Sequence, residues 1–430
     1  MKKIGIIGAK RAGTSCALLL NKLGYKIFLS EIKKIPSYYK KKLPRDIYLE
    51  EGINSDKILM NDLIIASPGV SEKERIIKRI REKGIPLVDE IEIGYRFIEG
   101  KIVAITGTNG KSTVTKWIYE CLKDDNEVYM GGNIGTPLTE FAFKKGTFIV
   151  EVSSFELKRI KFFRPYIGII LNIDKDHIDW HIDLDDYISS KFNIFKNQNE
   201  EDFLIIDEEI ELKGKIKPKV FKVSLKKEVE GIFLKNDKII INIQGCFEEV
   251  KINFPLNQNF NIKNGLFVLL TLKILGKNLE DIKEKFEKFR GLPHRLEYIG
   301  EKNGIKVFND SKSTNPHSVK NAIESFEENI ILLMGGLNKG LSFKEIKKLI
   351  KKKCKGIVLF GKSRFEILKD IEDKEIKIEM AEKVEDALKI AFKMAKKDDI
   401  ILFSPGCASF DMYKNYEERG EDFKNAFKRI

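Results

Sequence analysis

One stretch of the chain, residues 102–113, constrains the fold more than any other. It consists of an apolar run that ends at Thr106, a turn from Gly107 to Gly110, and then Lys111 and Ser112 at the start of a helical pattern. A strand that turns this tightly into a helix directs backbone N–H groups and the positive end of the helix dipole at one point. Lys111 adds a movable positive charge, and the Ser112 hydroxyl can ligate the Mg²⁺ of a nucleoside triphosphate. The stretch therefore predicts a phosphate-binding loop on an α/β sheet.

The spacing of the two glycines indicates which nucleotide binds. The usual P-loop has four residues between its glycines, whereas Gly107 and Gly110 are separated only by Thr108 and Asn109. This loop is tighter than that of GTPases and favours an ATP-dependent ligase. The alternative is an ordinary glycine-rich turn of a doubly wound sheet, but such a turn does not require Gly-Lys-Ser between strand and helix. We therefore predict that the loop binds ATP, through residues Gly107, Thr108, Asn109, Gly110, Lys111, Ser112 and Thr113.

Length, charge and cysteine usage exclude several classes of protein. A chain of 430 residues is too long for one core, and about three domains are expected. It contains no apolar run near the ~18 residues that span a bilayer, and its five cysteines are scattered, as in a reduced cytoplasmic protein. Much of the lysine behind the net charge of +13 lies in mixed-charge runs typical of solvated helix faces. We expect anionic small-molecule substrates, with neither nucleic acid nor membrane as a partner.

Alternating strand and helix patterns predict an α/β protein of three domains. Residues 1–93 form a Rossmann-like domain, in which Lys10 replaces the middle glycine of the dinucleotide fingerprint and so disfavours a dinucleotide. Residues 94–290 form a P-loop ATPase-like α/β domain, and the alternation between positions 219 and 255 predicts a small antiparallel sheet that flanks its central sheet. The run Gly291-Leu292-Pro293 introduces a third, Rossmann-like α/β domain, residues 291–430.

Polar residues follow the apolar strands of the middle domain. Glu151 ends one such strand, and together with Ser112 it would supply the one or two protein oxygens that a hydrated Mg²⁺ needs; the alternative is a carboxylate that caps the next helix. His177 and His181 lie among several aspartates and suggest zinc, although two histidines four residues apart would need a helix where the aspartates favour a loop. Lys191 is interpreted either as a phosphate-binding lysine or as a solvated one.

Three loops of the last domain also follow predicted strands. The first contains Lys312 and Thr314, the second contains Lys339, and the third contains Ser409 and leads to Tyr416. Each loop alone is typical of an ordinary strand-to-helix connection. Three such loops at the strand ends of one sheet, two of them with lysine, suggest a site for a ligand that bears a carboxylate.

Taken together, these motifs resemble the muramyl ligase family of peptidoglycan synthesis, over essentially the whole chain. The 107–112 loop and the Glu151 strand end are shared by the wider superfamily, folylpolyglutamate synthases included. The runs at 291–297, 309–315 and 404–411 are more specific. They are similar to the branch that adds D-glutamate, rather than to those that add alanine, diaminopimelate, lysine or a dipeptide.

The resemblance implies an ATP-dependent amide ligase that joins D-glutamate to UDP-N-acetylmuramoyl-L-alanine through an acyl phosphate. It also implies two Mg²⁺ ions and a monomeric enzyme. Another amino-acid ligase of the superfamily, such as a folylpolyglutamate synthase, is the nearest alternative. A nucleotide-binding dehydrogenase would explain only the first domain, and a nucleic-acid-dependent ATPase would explain only the charge and the P-loop.

The resemblance further implies roles for individual residues. Lys111 and the loop amides would hold the phosphates, Ser112 and Glu151 the first Mg²⁺, and His177 the second together with Lys191, which is carbamylated in the family. The residues implied to border the adenine nucleotide are Asn261, Asn264, Arg295 and Asp310. Those implied to bind the muramyl nucleotide are Gly8, Gly13, Glu31, Ser67 and Asn133. Those implied to surround D-glutamate are Lys312, Thr314, Lys339, Ser409 and Tyr416.

Overall fold

The computed structural model describes residues 2–173, 180–212, 214–255 and 259–430. The chain forms two compact units, one made of Met1–Pro255 with Asn261–Phe289, and the other containing Arg290–Ile430. Two sheets lie in the first unit and one in the second, so the predicted α/β architecture is confirmed. No helix in the described ranges is long and apolar enough to cross a membrane.

The first sheet has five parallel strands in the order β3-β2-β1-β4-β5. Its strands are β1 (Lys3–Ile7), β2 (Lys26–Glu31), β3 (Tyr48–Glu51), β4 (Leu63–Ala66) and β5 (Leu87–Val88). The helices of this region are α1 (Arg11–Lys22), α2 (Ser37–Lys40), α3 (Arg75–Glu82) and α4 (Glu90–Tyr95). The strand order reverses between the parallel neighbours β1 and β4. The loops that follow these two strands therefore flank a crevice at the carboxyl edge, where α/β sheets bind ligands.

The second sheet has nine strands in the order β14-β13-β12-β11-β10-β9-β6-β8-β7. The strands are β6 (Glu99–Thr106), β7 (Val128–Gly132), β8 (Lys145–Glu151), β9 (Ile167–Ile170), β10 (Phe203–Asp207), β11 (Lys219–Ser224), β12 (Gly231–Lys235), β13 (Lys238–Ile243) and β14 (Cys246–Val250). The predicted antiparallel strands are present as β12 to β14, but they do not form a sheet of their own. They extend the central sheet, because β11 pairs in parallel with both β10 and β12.

Helices cover this central sheet, and they are α5 (Lys111–Leu122), α6 (Ser154–Leu157), α7 (Leu184–Phe192), α8 (Asn259–Ile274) and α9 (Leu279–Glu287). Trp117 of α5 is fully buried and stacks on Phe286 and Phe289, with ring centroids 4.5 and 4.7 Å apart. Strand β9 is buried along its whole length, as expected for a parallel strand covered on both faces. The phosphate-binding loop therefore joins a central buried strand, β6, to a helix that is firmly packed.

The second unit contains a sheet of six strands in the order β15-β16-β20-β17-β18-β19, parallel except for β15. The strands are β15 (Glu297–Lys302), β16 (Ile305–Asn309), β17 (Ile330–Gly335), β18 (Cys354–Phe360), β19 (Lys377–Met380) and β20 (Ile400–Gly406). The helices are α10 (Pro316–Glu324), α11 (Lys347–Lys353), α12 (Arg364–Ile371), α13 (Val384–Met394) and α14 (Tyr416–Arg429). Short 3₁₀ helices in the chain are Asp56–Met60, Leu138–Phe141, Asn193–Phe195 and Lys344–Ile346.

Candidate active site

The predicted phosphate-binding loop connects β6 to α5 and requires its second glycine. Gly110 has a φ of +84° and precedes the first residue of α5. A Cβ at this position would lie 2.7 Å from the Oδ1 atom of Asn264, which is closer than real contacts allow. Asn264 of α8 therefore lies directly against the loop.

Asn172, which follows β9, fixes the backbone of this loop. Its Oδ1 accepts hydrogen bonds from the N–H groups of Thr108 at 3.0 Å and Asn109 at 2.8 Å, and its Nδ2 donates to the Asn109 carbonyl at 3.1 Å. The hydroxyls of Thr108 and Tyr187 lie 2.9 Å apart. Sequence reasoning assigned no role to Asn172 or Tyr187. The available signal was the position of Asn172 at the end of a strand adjacent to β6.

Two lysine side chains converge on the same loop. Lys111 Nζ donates to the carbonyl oxygens of Gly107 and Thr108, both at 2.8 Å. Lys191 Nζ, from α7, also donates to the Gly107 carbonyl at 2.8 Å, and it lies 4.5 Å from the ring centroid of Tyr187. Because Lys191 is only 2% exposed, its interpretation as a solvated lysine is wrong. Both ammonium groups therefore lie at the turn between β6 and α5.

Glu151 ends β8 beside the P-loop strand, opposite Ile105 of β6. Its Oε1 accepts a hydrogen bond from Asn133 Nδ2 at 2.9 Å. Its Oε2 is buried and has no hydrogen-bond partner among the described residues. The alternative role as a helix cap is excluded, because Ser153 and Glu156 form the capping box of α6.

A buried carboxylate oxygen without a donor is costly unless a cation or water satisfies it. Glu151 Oε2 therefore fits a divalent cation, and oxygen ligands of this kind are those that Mg²⁺ prefers. Ser112, the other predicted ligand, is buried in the first turn of α5. This donor set fits the magnesium ion that the sequence predicts.

The predicted histidines are only partly described. His177 lies outside the described residues. His181 is buried, and its Nε2 lies 2.9 Å from Ser154 Oγ and its Nδ1 3.2 Å from Asp186 Oδ2. Across the described ranges, no group of three or more His, Cys, Asp or Glu side chains is arranged to hold a metal. His181 therefore bonds to Ser154 and Asp186, and it belongs to no zinc cluster of described residues.

The four predicted substrate residues of the first sheet lie together. Ser67 Oγ donates to the Gly8 carbonyl at 3.3 Å, and Glu31 Oε2 accepts from the Ala9 N–H at 2.9 Å. A Cβ at Gly13 would lie 1.8 Å from the Gly8 carbonyl oxygen, so only glycine lets helix α1 approach the loop this closely.

Arg159 connects this loop region to the segment that follows Glu151. Its guanidinium is fully buried, and Nε donates to Glu72 Oε1 at 2.8 Å. Its Nη1 donates to the carbonyls of Ala66 and Ser67 at 3.4 and 3.3 Å, and its Nη2 donates to that of Val70. Sequence reasoning did not single out Arg159. Its local sequence gives no sign of these contacts.

Three acidic side chains are buried between the first sheet and the central sheet. Burial raises the pKa of Asp89 to about 7, the nearby charge of Arg159 opposes this rise, and Glu90 adds to it. Both Asp89 carboxylate oxygens lack hydrogen-bond partners among the described residues. Burial also raises the pKa of Glu90 and of Glu156. Glu90 accepts hydrogen bonds from Thr139 N and Oγ1, both at 2.6 Å.

In the second unit, the three predicted loops follow β16, β17 and β20, which are neighbours in the sheet. Lys312 Nζ lies 3.9 Å from the ring centroid of Tyr416. Lys339 is exposed and lies 5.6 Å from the ring centroid of Phe410. Ser409 is buried and Thr314 is half-buried. The prediction that these loops share one edge of one sheet is confirmed.

The residues predicted to border the adenine nucleotide divide between the two units. Asn261 and Asn264 are buried on α8 and belong to the first unit. Arg295 and Asp310 belong to the second. Burial raises the pKa of Asp310 to about 6, and the hydroxyl hydrogen bonds of Ser313 and Ser404 and the charge of Arg295 oppose that rise.

Comparison with known proteins covers nearly the whole chain. The Mur ligase middle domain matches residues 105–272, the Mur ligase glutamate ligase domain matches 294–407, and the MurD-like N-terminal domain of Mur ligases matches 2–89. The UDP-N-acetylmuramoylalanine–D-glutamate ligase of Aquifex aeolicus is 35% identical, covering 98% of this chain and 97% of that protein. The ligase of the same name from Caldicellulosiruptor bescii is 37% identical, covering 98% and 96%.

Solved structures of lower identity share the fold. The UDP-N-acetylmuramate-alanine ligase MurC of Thermotoga maritima has a TM-score of 0.58 and 19% identity, covering 100% of both chains. The MurF ligase of Thermotoga maritima, solved in complex with ADP, has a TM-score of 0.59 and 18% identity, covering 87% of this chain and 92% of that one.

Proposed function

The chain belongs to the Mur ligase family, and on this basis we propose that it is an ATP-dependent ligase that adds D-glutamate to UDP-N-acetylmuramoyl-L-alanine in peptidoglycan precursor synthesis. The choice of D-glutamate rests on the similarity of this chain, over nearly the full length of both chains, to relatives named as D-glutamate ligases. The phosphate-binding loop and the buried Glu151 beside it support the use of ATP.

The proposed reaction divides amide synthesis into two displacements. The alanyl carboxylate of the muramyl nucleotide attacks the γ-phosphorus of ATP, which gives an acyl phosphate and ADP. The neutral amine of D-glutamate then attacks the acyl carbon, phosphate leaves, and the amine loses its proton. The first displacement brings a carboxylate against a triphosphate, so the main task of the protein is to neutralise and orient two anions.

The P-loop is suited to that task. Lys111 donates to two carbonyl oxygens of its own loop, and these weak acceptors can be exchanged for phosphate oxygens when ATP binds. The Thr108 and Asn109 amides donate to Asn172 and so fix the shape of the loop. The amides that follow, at Gly110, Lys111 and Ser112, would contact the β- and γ-phosphates. Asn261 and Asn264 on α8 would border the nucleotide, and we assign Arg295 and Asp310 to its adenine side as well.

Ser112 and Glu151 would hold one magnesium ion, for which the unsatisfied Oε2 of Glu151 is the supporting observation. A bound Mg²⁺ supplies neutralisation of phosphate charge at this place. Asn133, which binds the other oxygen of Glu151, would orient that carboxylate and contact the muramyl substrate. We also assign His177 and Lys191 to a second magnesium ion.

We propose that Lys191 is carbamylated, as the family resemblance implies. Its ammonium is buried and shares the Gly107 carbonyl with Lys111, so two positive charges are held close together. The ammonium first loses a proton, and the neutral amine then adds carbon dioxide and releases a second proton. A carbamate anion thus replaces one of the two positive charges. That change removes the repulsion and supplies the type of ligand that Mg²⁺ prefers.

The remaining assignments concern the two other substrates. Gly8, Gly13, Glu31 and Ser67 form a compact loop cluster at the first sheet, which we assign to the uridine diphosphate. Lys312, Thr314, Lys339, Ser409 and Tyr416 lie on or next to three neighbouring loops of the last sheet, which we assign to D-glutamate. We further propose that the enzyme acts as a monomer in the cytoplasm.

The proposal is tested by ADP release from the purified protein supplied with ATP, Mg²⁺ and UDP-N-acetylmuramoyl-L-alanine. D-glutamate, L-glutamate, L-alanine, L-lysine and diaminopimelate are compared as amine donors, and a folate is compared as the acceptor. Release that requires D-glutamate supports the proposal. Release only with L-lysine or diaminopimelate, or only with the folate, would assign the chain to another ligase of the superfamily, and no amino-acid-dependent release would refute it.

A further inference from the structure

Arg419 on α14 is a buried cation that is bound only by uncharged groups. Its side chain is fully buried. Nε donates to Ser311 Oγ at 3.0 Å, Nη2 to the Ser311 carbonyl at 2.8 Å, and Nη1 to the Cys407 carbonyl at 3.0 Å. Within the described ranges, no carboxylate oxygen lies within 4.0 Å of its guanidinium nitrogens. Buried guanidinium groups are ordinarily paired with a carboxylate, so this arrangement calls for an explanation.

The three loops of the proposed amino-acid site meet at this guanidinium. Ser311 lies in the loop after β16, and Cys407 lies in the loop after β20. The loop after β17 also reaches it, because a Cβ at Gly336 would lie 3.0 Å from Arg419 Nη1. Leu337 and Ala408 join the last two loops directly through N–H···O bonds of 2.8 and 3.1 Å. One side chain therefore contacts all three connections.

The same contacts extend to the groups assigned to the substrate. Ser311 Oγ, which accepts from Arg419, donates in turn to the Tyr416 carbonyl at 2.8 Å. Lys312, the next residue, places its ammonium 3.9 Å from the Tyr416 ring centroid. A continuous chain of contacts thus runs from the guanidinium through Ser311 to Lys312 and Tyr416.

Arg419 remains charged at neutral pH. Burial lowers its pKa to about 10, and the charges of Asp411 and Asp310 act in the opposite direction. Asp411 Oδ2 accepts the Lys362 N–H at 3.1 Å, and Asp310 accepts from Ser404 Oγ at 2.8 Å. Because the guanidinium is buried, its charge is weakly screened and acts on the three loops that it contacts.

We propose that Arg419 is a positioning residue that holds the three loops in the arrangement that binds the amino-acid substrate. Its charge, which forms no ion pair within 4.0 Å among the described residues, favours a dicarboxylic amino acid. This inference rests on the proposed function. It adds to that function a structural basis for the specificity of the amine donor, from a residue that need not touch the substrate.

The test is a set of steady-state constants for Arg419→Lys, Arg419→Met and Ser311→Ala. Arg419→Met removes three hydrogen bonds and the charge, and it should raise the KM for D-glutamate by about tenfold or more, with the KM for ATP changed by less than about twofold. Arg419→Lys keeps the charge and should recover part of that loss. Ser311→Ala keeps the guanidinium and should raise the KM for D-glutamate by about threefold.

The matched control is Arg429→Gln. Arg429 lies on the same helix and makes a surface ion pair with Glu385 at 2.9 Å. The KM values for D-glutamate, ATP and the muramyl nucleotide should therefore stay unchanged in this variant. A KM for D-glutamate that is unaltered in the Arg419 variants would overturn the proposal. So would a loss of kcat with no selective change in any KM, because a merely structural role predicts that result.

Two further outcomes are decided by separate measurements. If Arg419→Met does not fold, Ser311→Ala decides, and an unaltered KM for D-glutamate in that variant overturns the proposal. If the wild type releases no ADP in response to D-glutamate, the proposed function fails. The inference about Arg419 is then judged by direct titration of the wild type and Arg419→Lys with D-glutamate and with glutarate. Equal affinities of the two proteins for these ligands would refute it.

Discussion

Lys111 and Lys191 donate to the same atom, the carbonyl oxygen of Gly107, each at 2.8 Å. Their ammonium nitrogens therefore lie no farther apart than twice this distance. Two like charges at such a separation repel each other unless an anion joins them. The P-loop of this chain is thus arranged to receive negative charge, and four predictions follow from it and from the buried carboxylates nearby.

The first prediction concerns Lys111. Lys111→Ala should lower kcat/KM for ATP by about a thousandfold or more, because the charge that neutralises the transferred phosphoryl group is lost. ADP release measures this effect. Lys116→Ala is the matched control, since Lys116 lies on the same helix and pairs with Glu120 at the surface. Near-normal turnover of Lys111→Ala would contradict the assignment.

The second prediction concerns Glu151. Glu151→Gln keeps an oxygen that can accept from Asn133 but removes the negative charge, so the fold should be retained. The Mg²⁺ concentration for half-maximal rate should rise by about tenfold. Glu120→Gln is the control, because it makes the same substitution on α5 away from the loop, and it should leave the magnesium titration unshifted. A magnesium titration that Glu151→Gln leaves unshifted would show that this carboxylate is not a ligand.

The third prediction concerns Lys191. If its amine carries a carbamate, removal of carbon dioxide should lower activity and added bicarbonate should restore it, because the carbamate forms reversibly. Lys191→Ala should be inactive and should not respond to bicarbonate. Lys196→Ala, a change at an exposed lysine of the same segment, should behave like the wild type. An activity indifferent to carbon dioxide would argue that the unmodified amine is the working form.

The fourth prediction concerns Asp89, whose pKa is raised from 3.8 to about 7. Between these two values the folded chain binds a proton that the unfolded chain has released. The contribution of this side chain to stability is therefore present below the lower value and is lost as the pH rises to the upper one. Asp89→Asn stays neutral throughout. Its melting temperature should exceed that of the wild type by several degrees more at about pH 8 than at about pH 5.

Thermal melts of both proteins across this pH range test the point. A difference in melting temperature that is the same at every pH would mean that Asp89 does not take up a proton in the folded chain.

Sequence alone identified the parts of the site whose residues are contiguous. The P-loop was predicted because the strand, the glycines and Lys111 adjoin one another. Asn172 was missed because its bond to Asn109 spans 63 positions, and Arg159 because its bond to Glu72 spans 87. The alternation in β12 to β14 indicated antiparallel strands, but periodicity carries no information on which neighbour a strand joins.

The domain boundaries at 93/94 and 290/291 remain predictions. So do the roles of His177, Asn261, Asn264, Arg295 and Asp310. In the second unit, the strand-end rule did place Lys312, Lys339 and Ser409 correctly on neighbouring loops. It did not reveal Arg419, since a buried guanidinium on a helix looks like any other basic residue in sequence.

Arg159 joins two parts of the first unit that are far apart in sequence. Its guanidinium ties the carbonyls of Ala66, Ser67 and Val70 to the segment just downstream of Glu151. A ligand that displaces the Ser67 loop must either break these bonds or move that segment with it. If the loops of the first sheet bind the muramyl nucleotide and Glu151 binds Mg²⁺, as we propose, Arg159 would link the position of one ligand to the surroundings of the other. The binding of the two ligands would then be interdependent.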